Sequence, residues 1–82
     1  MITELETVVL IRDLPEYGLD GGDIGAVVHC HEEGVSFEVE FVTGTGETVA
    51  VVTLTHEDVR PMLPNEILHA RKIIAEGRAQ PI

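Results

Sequence analysis

Val35-Ser36-Phe37-Glu38-Val39-Glu40-Phe41-Val42 decides the fold. Val35, Phe37, Val39 and Phe41 point one way and Ser36, Glu38 and Glu40 the other. That period of two is the mark of a strand with one buried and one wet face. Toward the N-terminus, His31-Glu32-Glu33-Gly34 supplies a turn, preceded by Gly21-Gly22-Asp23-Ile24-Gly25-Ala26-Val27-Val28, where a polar loop becomes an apolar strand. The paired glycines admit backbone angles closed to other residues, and Asp23 can tie down its own turn. The second strand runs from Ile24 to His29. Because Ala26, Val27 and Val28 are all apolar, its alternation fails. A bulge at Gly25 or burial on both faces explains that, and Gly25 also suits a close approach of another backbone.

Toward the C-terminus, Thr43-Gly44-Thr45-Gly46 reads as a hairpin turn. A fourth strand, Glu47 to Leu54, turns Ala50, Val52 and Leu54 inward, leaving Val49 and Val51 on a face that something else would cover. Thr55-His56-Glu57-Asp58 resembles a capping box with room for one helical turn, followed by a short fifth strand at Val59-Arg60. At the other end, Thr7 to Ile11 is a β-branched first strand. The loop Arg12 to Asp20 carries Pro15 and Gly18 as chain-reversing residues, with Leu14 and Leu19 placed to anchor it on the core. Five short strands and one long loop predict a mainly β protein, a closed or nearly closed barrel that hides its strand edges.

The tail follows another rhythm. Pro64 suits the first position of a helix, Ile67, Ala70 and Ile74 share one stripe, and Gly77 is a good stop. The sequence therefore divides into a barrel at 1–61 and a C-terminal α-helix in an extension at 62–82. About thirteen residues are marginal as an isolated helix, so Ile67, Leu68, Ile73 and Ile74 must pack on something. That surface is this barrel, a second copy or another protein.

The 82 residues carry 15 acids and 5 bases, a net charge of −10. The imbalance is local: residues 1–56 hold eleven acids and only Arg12 as a base, whereas residues 57–82 hold four of each. Such a body repels phosphate backbones and anionic membranes, so neither nucleic acid nor a membrane is an expected partner. A basic protein would be drawn to it. Surplus acid also keeps a small protein soluble without any partner. The start of the chain lacks the basic and apolar run of a signal peptide, and no apolar stretch exceeds four residues, so a soluble cytoplasmic protein is expected.

Catalytic and metal motifs are weak. On a strand, His29 and His31 face one side and Cys30 the other, so the three cannot converge on one metal ion. Cys30 has no base and orienting group beside it. Glu38 and Glu40 are better read as a solvated face than as paired hydrolytic acids. Gly21-Gly22-Asp23-Ile24-Gly25 has no Lys-Ser/Thr ending and no following helix to receive a phosphate. No enzyme, metal or cofactor is expected. The residues expected to touch a protein partner are Asp13, Glu16, Tyr17 and Asp20 on the acidic loop, Glu38 and Glu40 on the third strand, and Ile67, Leu68, Arg71 and Ile74 on the tail.

With these residues placed, four motifs resemble one family of small bacterial proteins. They are Asp13-Leu14-Pro15-Glu16-Tyr17-Gly18-Leu19, Gly22-Asp23-Ile24-Gly25-Ala26-Val27-Val28, Phe37-Glu38-Val39-Glu40-Phe41 and Val59-Arg60-Pro61. Together they are similar to domain of unknown function 4926 over about residues 5–61. That resemblance implies a five-stranded SH3-like barrel and carries no activity or catalytic residue with it. The Gly-Asp-x-Gly-x-Val-Val core also looks like the start of KOW-type domains. The expected function is a non-catalytic acidic module, antitoxin- or immunity-like, that masks a basic protein. An RNA- or ribosome-associated KOW-like domain and a homo-oligomeric accessory subunit, joined through the tail helix, are the alternatives.

Overall fold

The computed structural model describes residues 2–73. Five antiparallel strands form one sheet: β1 (Thr7–Leu10), β2 (Ile24–His31), β3 (Ser36–Val42), β4 (Thr48–Leu54) and β5 (Val59–Pro61), in the order β4-β3-β2-β1-β5. β1 to β4 follow one another as a meander, and β5 returns to pair with β1 through Val8↔Pro61, Val9↔Arg60 and Leu10↔Val59. Among the described residues no ladder joins β4 to β5, which are the two ends of the order.

All five strands feed a single core. Val8 and Leu10 of β1, Val27 of β2, Phe37, Val39 and Phe41 of β3, Val52 and Leu54 of β4, and Val59 of β5 are buried in one cluster. Among the described residues no α-helix covers that face. A sheet that buries one face without a second layer must curl over itself, so the architecture is barrel-like. Ile2, Leu14 and Leu19 join the same cluster from outside the strands. The expected SH3-like barrel is compatible with this topology.

The alternation in β3 stands as expected for Phe37, Val39 and Phe41, which are buried, with Glu38 and Glu40 half-buried opposite them. Val35 is the exception. It ends the 3₁₀ turn Glu32–Gly34 instead of starting the strand, and it is exposed. The bulge in β2 falls three residues after Gly25: Val27 faces Val39, but His29 faces Glu38, so Val28 is the extra residue. Because a bulge shifts the pleat by one, His29 and His31 come out on the Glu38 face while Cys30 packs against the core. A second irregularity in β3–β4, Phe41↔Ala50 followed by Val42↔Thr48, makes Val49 the extra residue there.

Gly25 serves close approach. An added Cβ would lie 2.6 Å from Val39 Cγ1, 2.9 Å from Phe41 Cε2 and 3.0 Å from the Glu40 carbonyl oxygen. The Thr55–Asp58 turn is closed by Asp58, whose Oδ2 accepts the Thr55 amide at 2.9 Å while Oδ1 accepts Arg12 Nε at 2.5 Å. The same residue's carbonyl accepts the Ile11 amide at 2.8 Å, tying the β4–β5 turn to the end of β1.

Among the described residues the expected C-terminal α-helix is not present. Residues 62–73 run without regular secondary structure apart from a turn at Pro64–Asn65, and residues 74–82 of the expected helix lie outside the described residues. The apolar stripe finds no surface in that segment, since Ile67 is 88% and Leu68 66% exposed. Without such packing a short helix gains too little to offset its nucleation cost. The chain settles into a Leu63–Glu66 turn instead. Glu66 donates its amide to the Leu63 carbonyl at 3.1 Å, and its carboxylate accepts the Leu63 amide at 2.7 Å. Arg60 forks onto that same carboxylate at 2.8 and 2.5 Å.

Candidate functional site: an acidic corner that seats an arginine

The loop between β1 and β2 is a fixed platform. Leu14 and Leu19, both buried, exchange backbone hydrogen bonds at 2.8 and 3.1 Å and cinch the segment between them into one small lobe. Pro15–Tyr17 forms a 3₁₀ turn inside that lobe, and Gly18 ends it in a left-handed conformation at φ 72°. Asp13 Oδ1 accepts the Gly21 amide at 2.8 Å. Asp23 accepts the Asp20 amide on Oδ2 at 2.8 Å, and its own amide returns to the Asp20 carbonyl at 3.0 Å. Two further bonds, Gly22 amide to Leu10 carbonyl and Leu10 amide to Asp23 carbonyl, dock the loop on β1.

Onto this platform comes Arg71. Its Nε reaches Asp23 Oδ1 at 2.7 Å and its Nη2 reaches Asp23 Oδ2 at 2.5 Å, a two-pronged fork. Nη2 also donates to the Gly18 carbonyl at 3.0 Å, and Asp20 Oδ2 lies 3.6 Å from Nε. Two carboxylates and a carbonyl thus converge on one guanidinium, the planar donor array that a fixed carboxylate matches best. Two residues on, Ile73 packs half-buried against the core cluster. Between this segment and Phe41, Val42 and Val49 lies a groove of about 570 Å³. A partly exposed ion pair contributes up to about 1 kcal/mol and half-burying an isoleucine about as much, so the attachment is weak.

The expected contact residues divide. Asp13, Glu16, Tyr17 and Asp20 are exposed on the loop, and Asp20 reaches the corner. Glu38 and Glu40 are occupied within the sheet: Glu38 accepts Thr53 Oγ1 at 2.6 Å and pairs with His31 Nε2 at 2.8 Å, and Glu40 accepts Thr48 Oγ1 at 2.7 Å. Ile67 and Leu68 are exposed, Arg71 is held by the loop, and Ile74 lies outside the described residues. Asp23, at the exit of the same acidic loop, ties down its own turn as the sequence suggests and also holds Arg71. Its signal is the charge asymmetry, an acidic loop in a chain whose cations lie in the tail. Among the described residues no group of three or more His, Cys, Asp or Glu side chains could hold a metal ion, and no helix is long and apolar enough to cross a membrane.

Among the described residues, four carboxylates are held below their ordinary range. Burial pushes Asp23 up, but the Arg71 fork and the Asp20 amide outweigh it; burial likewise pushes Asp58 up, and the Thr55 and Arg12 bonds outweigh it. The Thr53 hydroxyl and then His31 lower Glu38, and the Arg60 fork lowers Glu66 to about 2. A carboxylate lowered by folding contributes stability that is complete above its unfolded value, about 4, and lost as pH falls through its folded value. Between pH 7 and 5 the shedding of negative charge relieves self-repulsion. Thermal unfolding followed by circular dichroism should therefore show a midpoint that holds or rises from pH 7 to 5 and drops between about pH 4 and 2. A midpoint unchanged at pH 2.5 would mean these pairs contribute nothing.

Over residues 4–61 the chain matches the family described as domain of unknown function (DUF4926). The chain belongs to the DUF4926 family. No curated protein and no solved structure matches it. The DUF4926 match includes the whole sheet and the loop with Asp20 and Asp23, whereas Arg71 and the segment that carries it lie beyond it.

Proposed function

We propose that this DUF4926 chain is a non-catalytic, acidic protein-binding module that masks a basic surface of its partner, as antitoxin and immunity proteins do. One observation carries the reading: Asp23, Asp20 and the Gly18 carbonyl close around a guanidinium presented by an irregular stretch of chain. A rigid loop that accepts an arginine in this way is a receptor for arginine side chains generally. The net charge of −10 supports it by steering a basic partner toward the loop.

The test is affinity purification of the tagged full chain from its native host, beside an Asp20→Asn/Asp23→Asn variant. Asparagine keeps the turn's hydrogen bond from the Asp20 amide and removes the charge. A stoichiometric protein rich in Lys and Arg should co-purify with the wild type and be lost with the variant. Recovery of RNA in place of protein, or of the chain alone, would overturn the proposal.

A further inference from the structure

We infer that residues 67–73 are a built-in ligand of the Asp20–Asp23 corner, and that the partner displaces them with a segment of the same chemistry, an arginine followed two residues later by an aliphatic side chain. This rests on the reading of the corner as a receptor for a basic protein and specifies how that receptor is regulated.

Four features lead to it. The segment is held by side chains at two points, the Arg71 fork on Asp23 and the half-buried Ile73. Among the described residues its backbone forms no backbone hydrogen bond to the sheet or to the loop. Residues 67–72 are exposed, so water can satisfy those groups and side chains alone fasten the segment to the fold. The incumbent also fills its place incompletely, because the groove of about 570 Å³ stays open beside Phe41, Val42 and Val49 while Leu68 remains 66% exposed. Lastly, the corner lies within the DUF4926 match and its occupant does not. A receptor inside the matched region, filled by a segment outside it, is what self-masking requires.

Tethering sets the size of the effect. A segment joined to its receptor by a short linker competes at an effective concentration near millimolar. If the segment's own intrinsic affinity is about 100 μM, an added ligand then binds roughly tenfold more weakly than it would to the vacant corner. The probe is a capped, fluorescently labelled peptide with the sequence of residues 65–73, titrated by anisotropy into full-length wild type and full-length Arg71→Ala. Arg71→Ala should bind it about tenfold more tightly, Arg71→Lys should fall between, and Asp23→Asn added to Arg71→Ala should abolish binding. In nuclear magnetic resonance spectra of Arg71→Ala, the peptide should shift the amides of Gly18 to Asp23. A peptide with alanine in place of its arginine should shift none of them.

Equal affinity for wild type and Arg71→Ala, or no binding to either, would overturn self-masking. Sedimentation of the wild type as a dimer that Arg71→Ala turns into a monomer would also overturn it, by placing the segment in a neighbouring copy. Failure to recover a basic protein from the host would overturn the proposed function while leaving the peptide result standing, so the two are separable.

Discussion

Phe37→Ala should cost about 4 kcal/mol and leave much of the protein unfolded at room temperature. Removing a buried phenylalanine loses its transfer free energy and leaves a cavity, together about 3–5 kcal/mol. Phe37 is fully buried, sits opposite Cys30 of β2 and Leu54 of β4, and meets the edge of His56 with ring centroids 5.1 Å apart. It is one of two phenylalanines in the chain, so no other large ring stands ready to fill the space except Phe41, itself committed two residues along the same face. A domain of 82 residues has about 4–12 kcal/mol in all. Urea denaturation followed by circular dichroism would measure the loss, with Phe37→Leu as a milder control near 1 kcal/mol. A loss under 1.5 kcal/mol for Phe37→Ala would mean that the sheet does not curl around this ring.

Gly25→Ala is the opposite experiment, adding one methyl group instead of removing a ring, and should cost about 2–3 kcal/mol through overpacking. The new Cβ would fall within 3.0 Å of Val39, Phe41 and the Glu40 carbonyl. Val39 and Phe41 are themselves buried between neighbours, and the carbonyl belongs to β3, which pairs with β2 on one side and β4 on the other. None of the three can retreat without disturbing the sheet. The same substitution at Gly44, where an added Cβ meets nothing within 4 Å, should be close to neutral. Comparable losses at both positions would show that the loss at Gly25 does not come from its close contacts.

These two residues also mark what could be read from the chain. The strand content and the inward set Phe37, Val39, Phe41, Val52 and Leu54 follow from alternation alone, because burying one face of a strand is a local requirement. The extra residue at Val28 was less legible, since a bulge is defined by where two strands meet and Gly25 offered a more visible irregularity. The tail reads as a helix for a related reason. Ile67 and Ala70 do stand at helical spacing, and Pro64 suits a helix start, but a marginal helix depends on a surface that sequence cannot show to be present. What captured the segment was Arg60 on Glu66 and Arg71 on Asp23, pairs 6 and 48 residues apart. The acidic loop was visible as a charged patch; that a cation from the same chain would sit on it was not.

The strand β4 has a consequence for handling the protein. Thr48-Val49-Ala50-Val51-Val52-Thr53-Leu54 ends the sheet without one charged residue or proline, and Val51 is half exposed. An edge of that kind invites lateral stacking of copies into growing sheets, and at neutral pH mutual repulsion between strongly anionic molecules is what keeps them apart. Near the sequence isoelectric point of about 4.5 that colloidal barrier vanishes. Precipitation in mildly acid buffer would then come from molecules that are still folded, and a lysine at Val51 should suppress it.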